Sequence, residues 1–305
     1  MSIPLVCDFL LFLFKKGLSA SSLNSARSAI SFFCLYSLEV ANNPSVVRLF
    51  RYFYRKRPLR PRYFTYWPVS QVLSFLESWH PASSLTLKQL TLKTLALVAL
   101  ASSDRAQTLH LMDIEKTHVC DDSISFIILD RLKTTRRYGK PHVVVCPSTD
   151  NPALNASDYI TSYMNRTISI RAKHVAAGNP KPTKLFLSWK TKAPVVRNTI
   201  SRWLKLILGE AGVDTERFAG HSTRGSSLSE ASYRGASPNQ IVEAGDWTNV
   251  TTFRRHYCAP QNSSAVGRMI LNAIADEVSY INELKLFHKI SKSLIQALFK
   301  HGFTA

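Results

Sequence analysis

The sequence predicts a mainly α-helical protein with a small antiparallel β-hairpin or sheet, divided into two domains. Apolar residues recur at helical spacing along much of the 305-residue chain. Two short runs, Ser123–Leu129 and His142–Cys146, are instead rich in β-branched and aromatic residues, and the basic turn between them indicates a hairpin. Pro58, Pro61 and Pro68 interrupt regular structure and mark the division of the chain.

Three helices are expected in the first 57 residues, which contain no strand pattern. Pro4–Lys16 is mostly apolar, and Ser21–Tyr36 carries small and apolar residues at helical spacing. A third helix begins at Asn43-Pro44-Ser45, because asparagine favours the N-cap and proline the first helical position. Residues 1–57 therefore form a predicted helical domain, and residues 58–68 a basic, proline-rich linker.

Residues 69–305 form the second predicted domain. Leu85–Ala101 is apolar nearly all round, which is typical of a helix buried on every side. After the hairpin, helical segments resume near Asp158, Val196, Ser222, Pro238, Val250 and Ser264. A last segment, Leu284–Phe303, is amphipathic and basic.

The net charge of +19 implies an anionic partner, with double-stranded DNA as the first candidate and a membrane surface as the second. Basic residues from Arg48 to Arg62 alternate with aromatic ones, which suits contact with a DNA backbone. The alternative is a solvated helix face whose aromatic side chains pack inward. No apolar run approaches the ~20 residues of a membrane span, so no membrane partner is expected.

The five cysteines are scattered and include no C-x-x-C pair. This usage favours reduced thiols inside a cell over a disulfide framework or a zinc site. The sequence has no P-loop, no Asp/Glu cluster and no metal-ligand spacing, so no metal or cofactor is expected. The expected location is the nucleus.

The segment from His221 to Tyr257 contains the most informative spacing of reactive residues. Arg224 follows His221 by three residues, Trp247 follows Arg224 by 23, and Tyr257 follows Trp247 by ten. Arginine binds phosphate with a rigid fork of donors, histidine moves protons near neutral pH, and tyrosine can attack phosphorus. The pattern is therefore suited to cleaving a DNA phosphodiester without a metal.

The arrangement resembles that of the tyrosine recombinases, the phage integrase family, which share their catalytic domain design with type IB topoisomerases. That family has a first arginine, a hairpin lysine, His-x-x-Arg, a histidine or tryptophan, and a nucleophilic tyrosine. All are matched here in order, by Arg105, Lys133, His221, Arg224, Trp247 and Tyr257. The strings LSASSLNSARSAISFF, RAQTLHLMDI and GHSTRGSSLSEA look most like recombinases of DIRS-type retrotransposons.

The resemblance implies that Tyr257 attacks the scissile phosphate and forms a 3′-phosphotyrosyl link, with His221 as proton acceptor. Arg105 and Arg224 would hold the non-bridging oxygens. The tyrosine commonly follows the histidine or tryptophan by nine residues, and here the ninth residue is His256. The ten-residue spacing matches the DIRS-type pattern.

Lys133 lies at the end of the first hairpin strand, where the resemblance places the lysine that protonates the departing 5′ oxygen. Lys140 is the alternative candidate for this role.

Trp247 would donate one hydrogen bond to a phosphate oxygen, a role compatible with packing as a core tryptophan. Many members have an acid three residues after the first arginine, whereas this chain has Thr108, so that carboxylate is lost or replaced.

The resemblance also makes residues 1–57 a core-binding, SAM-like DNA-binding domain. Such domains usually have four or more helices, so two interpretations are open for Met1, an N-terminally shortened domain or a reading frame cut from a longer polyprotein. Residues 69–305 become the catalytic domain, whose C-terminal helix would couple protomers into a dimer or tetramer on DNA. The basic residues expected to contact DNA are Arg51, Arg55, Lys56, Arg57, Arg60, Arg62, Arg131, Arg136, Arg137 and Lys140.

Three functions remain open on the sequence. The first is site-specific recombination or integration of a mobile element, and the second is nicking and closing of DNA like a type IB topoisomerase. The third is a catalytically inactive or domesticated DNA-binding relic of a transposon recombinase. The complete set of six residues argues against the relic, and Thr108 leaves it open.

Overall fold

The computed structural model of the protein describes residues 2–33, 37–58, 65–133, 135, 139–247, 249–251 and 253. The chain divides into two compact units, Met1–Tyr63 and Phe64–Ala305. The division falls inside the segment 58–68 that the sequence analysis assigned to a linker. None of the described helices has the length and apolar character needed to cross a bilayer.

The first unit contains four described helices, so the prediction of three was wrong. They are α1 (Ile3–Lys15), α2 (Ala20–Phe33), α3 (Ser37–Asn42) and α4 (Pro44–Lys56). The short helix α3 escaped prediction because residues 34–36, which separate it from α2, include neither glycine nor proline. Helix α4 begins where predicted, and the Asn43 side chain accepts a hydrogen bond from the Ser45 amide at 2.9 Å.

An aromatic core holds these helices together. Phe14 of α1 stacks on Phe53 of α4 with ring centroids 4.5 Å apart, and both rings are buried. The guanidinium of Arg57 lies 3.9 Å from the centre of the Phe14 ring and donates to the Leu18 carbonyl at 2.8 Å. Arg57, which the sequence assigned to DNA contact, is thus engaged within its own unit.

The second unit is built around one buried helix. Its described helices are α5 (Val69–Glu77), α6 (Leu87–Ser102), α7 (Ala106–Leu111), α8 (Ala156–Ala176), α9 (Arg197–Glu210), α10 (Ser222–Tyr233) and α11 (Pro238–Ala244). Helix α6 is buried on all sides from Leu90 to Ala99, as predicted, and it packs against α8, α9 and α10. A capping box formed by Thr86 and Gln89 fixes where α6 begins.

A small sheet completes this unit, with antiparallel strands in the order β1 (Thr117–Cys120), β2 (Ser123–Ile128) and β3 (His142–Pro147). Strands β2 and β3 form the predicted hairpin, in which Ile128 pairs with His142. Strand β1 was not predicted, because it has four residues and is largely exposed, so it shows no alternation of apolar and polar positions. The mainly helical fold with a small antiparallel sheet is confirmed.

One lysine lies inside this core. Lys93 of α6 is fully buried, and its Nζ donates to the Trp79 carbonyl at 2.6 Å and to the Tyr159 hydroxyl at 2.8 Å. The Tyr159 hydroxyl itself donates to the Trp79 carbonyl at 3.1 Å. Burial lowers the pKa of Lys93 to about 8, because the charged ammonium is poorly solvated there.

We therefore expect Lys93→Met to stabilise the protein at about pH 7 by about 1–3 kcal/mol. The substitution removes a buried charge, and Tyr159 still has the Trp79 carbonyl as its acceptor. The folded pKa lies below the ordinary value of 10.5, so between these values the unfolded chain binds more protons and wild-type stability rises with pH.

Urea denaturation across this pH range measures the effect. The advantage of the methionine variant should shrink as pH rises above about 8. Thr94→Val is the matched control, since Thr94 is an uncharged buried neighbour that bonds the Tyr159 carbonyl. A methionine variant that is less stable than wild type near neutral pH would contradict this account.

Candidate active site

The turn after α6 presents the first predicted arginine. Ser103 ends the helix in the left-handed region at φ 55° and ψ 24°, Asp104 is buried, and Arg105 occupies the N-cap position of α7. The Arg105 side chain is half-buried and has no hydrogen-bond acceptor within the described part of the chain. The turn therefore fixes the backbone of Arg105 at the start of α7.

Arg224 joins three segments of the predicted site. It lies in α10 and is 4% exposed. Its Nη1 donates to the Ser103 carbonyl at 2.8 Å, and its Nη2 donates to the Gly245 carbonyl. The guanidinium also lies 4.7 Å from the centre of the Trp247 ring. The turn of Arg105, the helix of Arg224 and the loop of Trp247 are thus held together by one cation.

His221 occupies the N-cap position of α10 and is exposed. Its backbone is already helical, with φ −73° and ψ −11°, so His221 and Arg224 lie on the same side of the helix start. The next residue, Ser222, accepts a hydrogen bond from the Trp67 indole at 2.9 Å. The histidine is therefore presented at an anchored helix end.

Two glycines allow the close packing around α10. A Cβ added to Gly225 would overlap the ring of Tyr66, and a Cβ added to Gly245 would overlap the ring of Trp247. Tyr66 and the buried Trp67 had been assigned to the linker, whereas in the structure they pack within the second unit. The sequence feature that could have indicated this packing is the aromatic pair Tyr66-Trp67 just before the first helix of the unit.

Sequence reasoning also missed an acid–base pair between the buried Asp104 and the half-buried His142. The Asp104 carboxylate lies 2.9 Å from Nε2 of His142, at the start of β3. The hydrogen bond to Asp104 raises the pKa of His142 against the opposing effect of its burial. Thr108, where the resemblance led us to look for an acid, is buried. The buried carboxylate beside Arg105 is instead that of the residue immediately before it.

The two candidate lysines stand at opposite ends of the β2–β3 connection. Lys133 lies in a turn after β2, Lys140 lies shortly before β3, and both side chains are exposed. In the turn after β2, the side chain of Leu132 is buried and its amide donates a hydrogen bond to the Thr135 hydroxyl at 2.8 Å. Arg131 is also exposed. Both lysines therefore remain candidates for the general acid.

The exposed face of α4 carries the first group of predicted DNA contacts. Arg51, Arg55 and Lys56 are exposed there, on a helix that buries Val46, Phe50 and Phe53. Tyr52 and Tyr54 are exposed as well, at 45% and 37%. The aromatics that pack inward are thus phenylalanines, and the outward face combines basic and tyrosine side chains.

Several predicted residues lie outside the described part of the chain, namely Tyr257, Arg60, Arg62, Arg136, Arg137 and the segment 284–305. The described residue nearest to Tyr257 is Phe253, four positions before it. Phe253 is buried with Leu228 and Ile241, and its ring centre lies 5.9 Å from that of Trp247.

Comparisons with known proteins agree with this architecture. The model of the phage integrase family matches residues 69–263. Among solved structures, the XerH site-specific recombinase bound to a palindromic difH substrate is similar with a TM-score of 0.57 and 11% identity, over 88% of this chain and 70% of that one. No curated protein sequence matches the chain.

Two further solved structures share the fold. The Tn1549 transposon integrase in complex with transposon right end DNA has a TM-score of 0.54 and 14% identity, over 90% of this chain and 86% of that one. A lambda integrase dimer bound to a COC′ core site has a TM-score of 0.50 and 13% identity, over 86% of this chain and 81% of that one.

The two arginines should differ in what they do for stability. We expect Arg224→Ala to lower the free energy of unfolding by about 2–4 kcal/mol, because it leaves the Ser103 and Gly245 carbonyls without their donor. Arg105→Ala should change it by less than about 0.5 kcal/mol, because its side chain has no acceptor among the described residues.

Urea denaturation without DNA measures both variants. Equal losses of stability in the two variants would show that Arg224 is not the residue that joins these segments.

Proposed function

The chain belongs to the phage integrase family, and from this premise we propose that it cleaves and rejoins DNA through a 3′-phosphotyrosyl intermediate, as a site-specific recombinase of a mobile element. The observation that carries the proposal is the position of Arg224. One buried guanidinium joins the turn of Arg105 to the loop of Trp247. Arg105 and Trp247 are 142 residues apart in sequence. The segments that carry Arg105 and Trp247 therefore meet at the guanidinium of Arg224.

The electrostatics of the site support binding of a phosphodiester. Arg224 is held in place before substrate arrives, and the half-buried Arg105 lies in a turn that Arg224 restrains. Positive charge fixed in advance stabilises the charge that builds on the non-bridging oxygens during phosphoryl transfer, without a cost for reorganisation. The chain's net charge of +19 attracts the DNA as a whole.

Tyr257 is the proposed nucleophile. The family match includes Tyr257. Phe253, which precedes Tyr257 by four residues, packs near the Trp247 ring.

In the cleavage step the Tyr257 Oη bonds to phosphorus as the bond from phosphorus to the 5′ oxygen breaks. The Tyr257 proton passes to His221, and Lys133 donates a proton to the departing 5′ oxygen. A 5′-hydroxyl then attacks the phosphotyrosine and gives its proton back to Lys133, while His221 returns a proton to the departing Tyr257 and the strand is resealed. The phosphodiester energy is retained in the covalent link, so the cycle balances without another reactant.

Double-stranded DNA is the proposed partner. The Tn1549 integrase and the lambda integrase were solved bound to DNA, the latter as a dimer. We extend both properties to this chain, with Arg51, Arg55 and Lys56 of α4 on the backbone and with assembly into a dimer or tetramer on paired sites. The basic amphipathic segment 284–303 would promote that assembly.

Two finer assignments complete the proposal, an origin in a DIRS-type retrotransposon and action in the nucleus. The alternatives are a topoisomerase-like enzyme and an inactive DNA-binding relic. A topoisomerase-like enzyme relaxes one supercoiled DNA by itself, whereas a recombinase exchanges strands between two sites. A relic binds DNA and forms no covalent link.

Tyr257→Phe should abolish the covalent protein–DNA complex while leaving DNA affinity within about twofold, because only a hydroxyl is removed. The measurement is trapping on a nicked suicide duplex built from a binding-selected sequence, followed by denaturing electrophoresis. Tyr233→Phe is the matched control, since Tyr233 is 81% exposed on α10 and should retain wild-type trapping. An SDS-resistant, protease-sensitive complex formed by Tyr257→Phe would refute the assignment.

Lys133→Ala should slow cleavage of ordinary DNA by about 100-fold or more, and a 5′-thiolate leaving group should restore most of the rate. A thiolate departs without a proton, so it does not need the general acid. Lys140→Ala, made as the matched variant across the same loop, should have a smaller effect. If the thiolate rescues Lys140→Ala instead, the two lysines exchange roles.

A further inference from the structure

We propose that the Asp104–His142 pair is a positioning device for Arg105, in which the imidazolium neutralises the neighbouring carboxylate and so reserves the arginine for the scissile phosphate. The inference rests on the proposed function, because it concerns the same phosphate-binding site. It assigns roles to two residues that lie outside the six predicted from the sequence.

The pair includes the residue that immediately precedes Arg105 in the turn after α6. Asp104 lies between Ser103, whose carbonyl Arg224 binds, and Arg105. Its carboxylate is 2.9 Å from Nε2 of His142 through one oxygen and 3.2 Å through the other. The turn is therefore held by α10 through the Ser103 carbonyl and by the first residue of β3 through the Asp104 carboxylate.

Charge decides what this contact does. The Asp104 side chain is 5% exposed, so its carboxylate is poorly solvated and strongly favours a cation. The neighbouring residue Arg105 is a cation without a described acceptor. If His142 were neutral, the carboxylate would attract the Arg105 guanidinium and compete with the substrate phosphate. A protonated His142 satisfies the carboxylate and removes that competition.

The other groups around His142 are consistent with its protonation. Asp246, from the loop after α11, and Asp104 favour the imidazolium, whereas Arg224 of α10 opposes it. The residue that pairs with His142 across the sheet is the apolar Ile128. The net result is a raised pKa for His142, caused first by the hydrogen bond to Asp104.

The sign of the pH effect follows. Since the folded pKa of His142 is raised, the neutralising charge is present below that pKa and is lost as pH rises through it. The rate of DNA cleavage should fall over the same range. Asp104→Asn retains an oxygen acceptor for Nε2–H but has no negative charge, so this decline should disappear in that variant.

The experiment measures formation of the covalent complex on the binding-selected suicide duplex, as a function of pH and of the scissile group. The enzymes are the wild type, His142→Ala, Asp104→Asn and His118→Ala. His118 is the matched control, because it is an exposed histidine in β1 of the same sheet. The scissile groups are an ordinary phosphate, an uncharged methylphosphonate and a 5′-bridging thiolate.

We expect His142→Ala to lose about 10- to 100-fold in rate on ordinary phosphate. On the methylphosphonate the rates of His142→Ala and wild type should be nearly equal, because an uncharged scissile group needs less charge stabilisation from Arg105. On the thiolate substrate the difference in rate should be unchanged. His118→Ala should match wild type on every substrate. A loss of folding alone would lower the rates on all three substrates alike.

Three outcomes overturn the inference: a wild-type rate for His142→Ala on ordinary phosphate, rescue by the thiolate but not by the methylphosphonate, or an unchanged alkaline decline in Asp104→Asn. If His142→Ala does not fold, the comparison of pH profiles between wild type and Asp104→Asn decides. Failure of the wild type to form a covalent complex on any duplex would overturn the proposed function instead.

Discussion

The buried guanidinium of Arg224 is the constraint on which the rest of the site depends. A cation with 4% exposure needs partners, and here they are the carbonyls of Ser103 and Gly245 and the face of the Trp247 ring. Ser103 lies in the turn that carries Arg105, Gly245 begins the loop that carries Trp247, and Trp247 is itself a predicted site residue. Satisfying one buried charge therefore aligns α10, the turn of Arg105 and the loop of Trp247.

The surrounding elements supply the conditions for that contact. Helix α6 is buried from Leu90 to Ala99, which fixes its position in the unit, and the left-handed turn at Ser103 directs that carbonyl toward Arg224. Gly225 and Gly245 allow the aromatic rings of Tyr66 and Trp247 to approach the backbone. A larger residue at either glycine would displace a ring that packs directly beside Arg224 or the helix bearing it.

Local patterns predicted the parts of this fold that depend on neighbouring residues in sequence. The apolar run of α6, the cap of α4 and the β2–β3 hairpin all appeared as expected. The Asp104–His142 contact joins residues 38 positions apart, so no local pattern could reveal it. Strand β1 is held by pairing with β2 and not by burial, and its sequence therefore lacks the alternation on which strand prediction relies.

The two arginines of the site also carry different information about the history of the chain. Arg224 is needed by the fold, so purifying selection for a stable protein would preserve it even in a lineage that no longer processes DNA. Arg105 has no acceptor in the described part of the chain, so we expect a substitution there to cost the fold little stability. In a lineage released from catalysis, drift would erase Arg105 well before Arg224. The residue at position 105 therefore distinguishes a working site from a decayed one better than the residue at position 224 does.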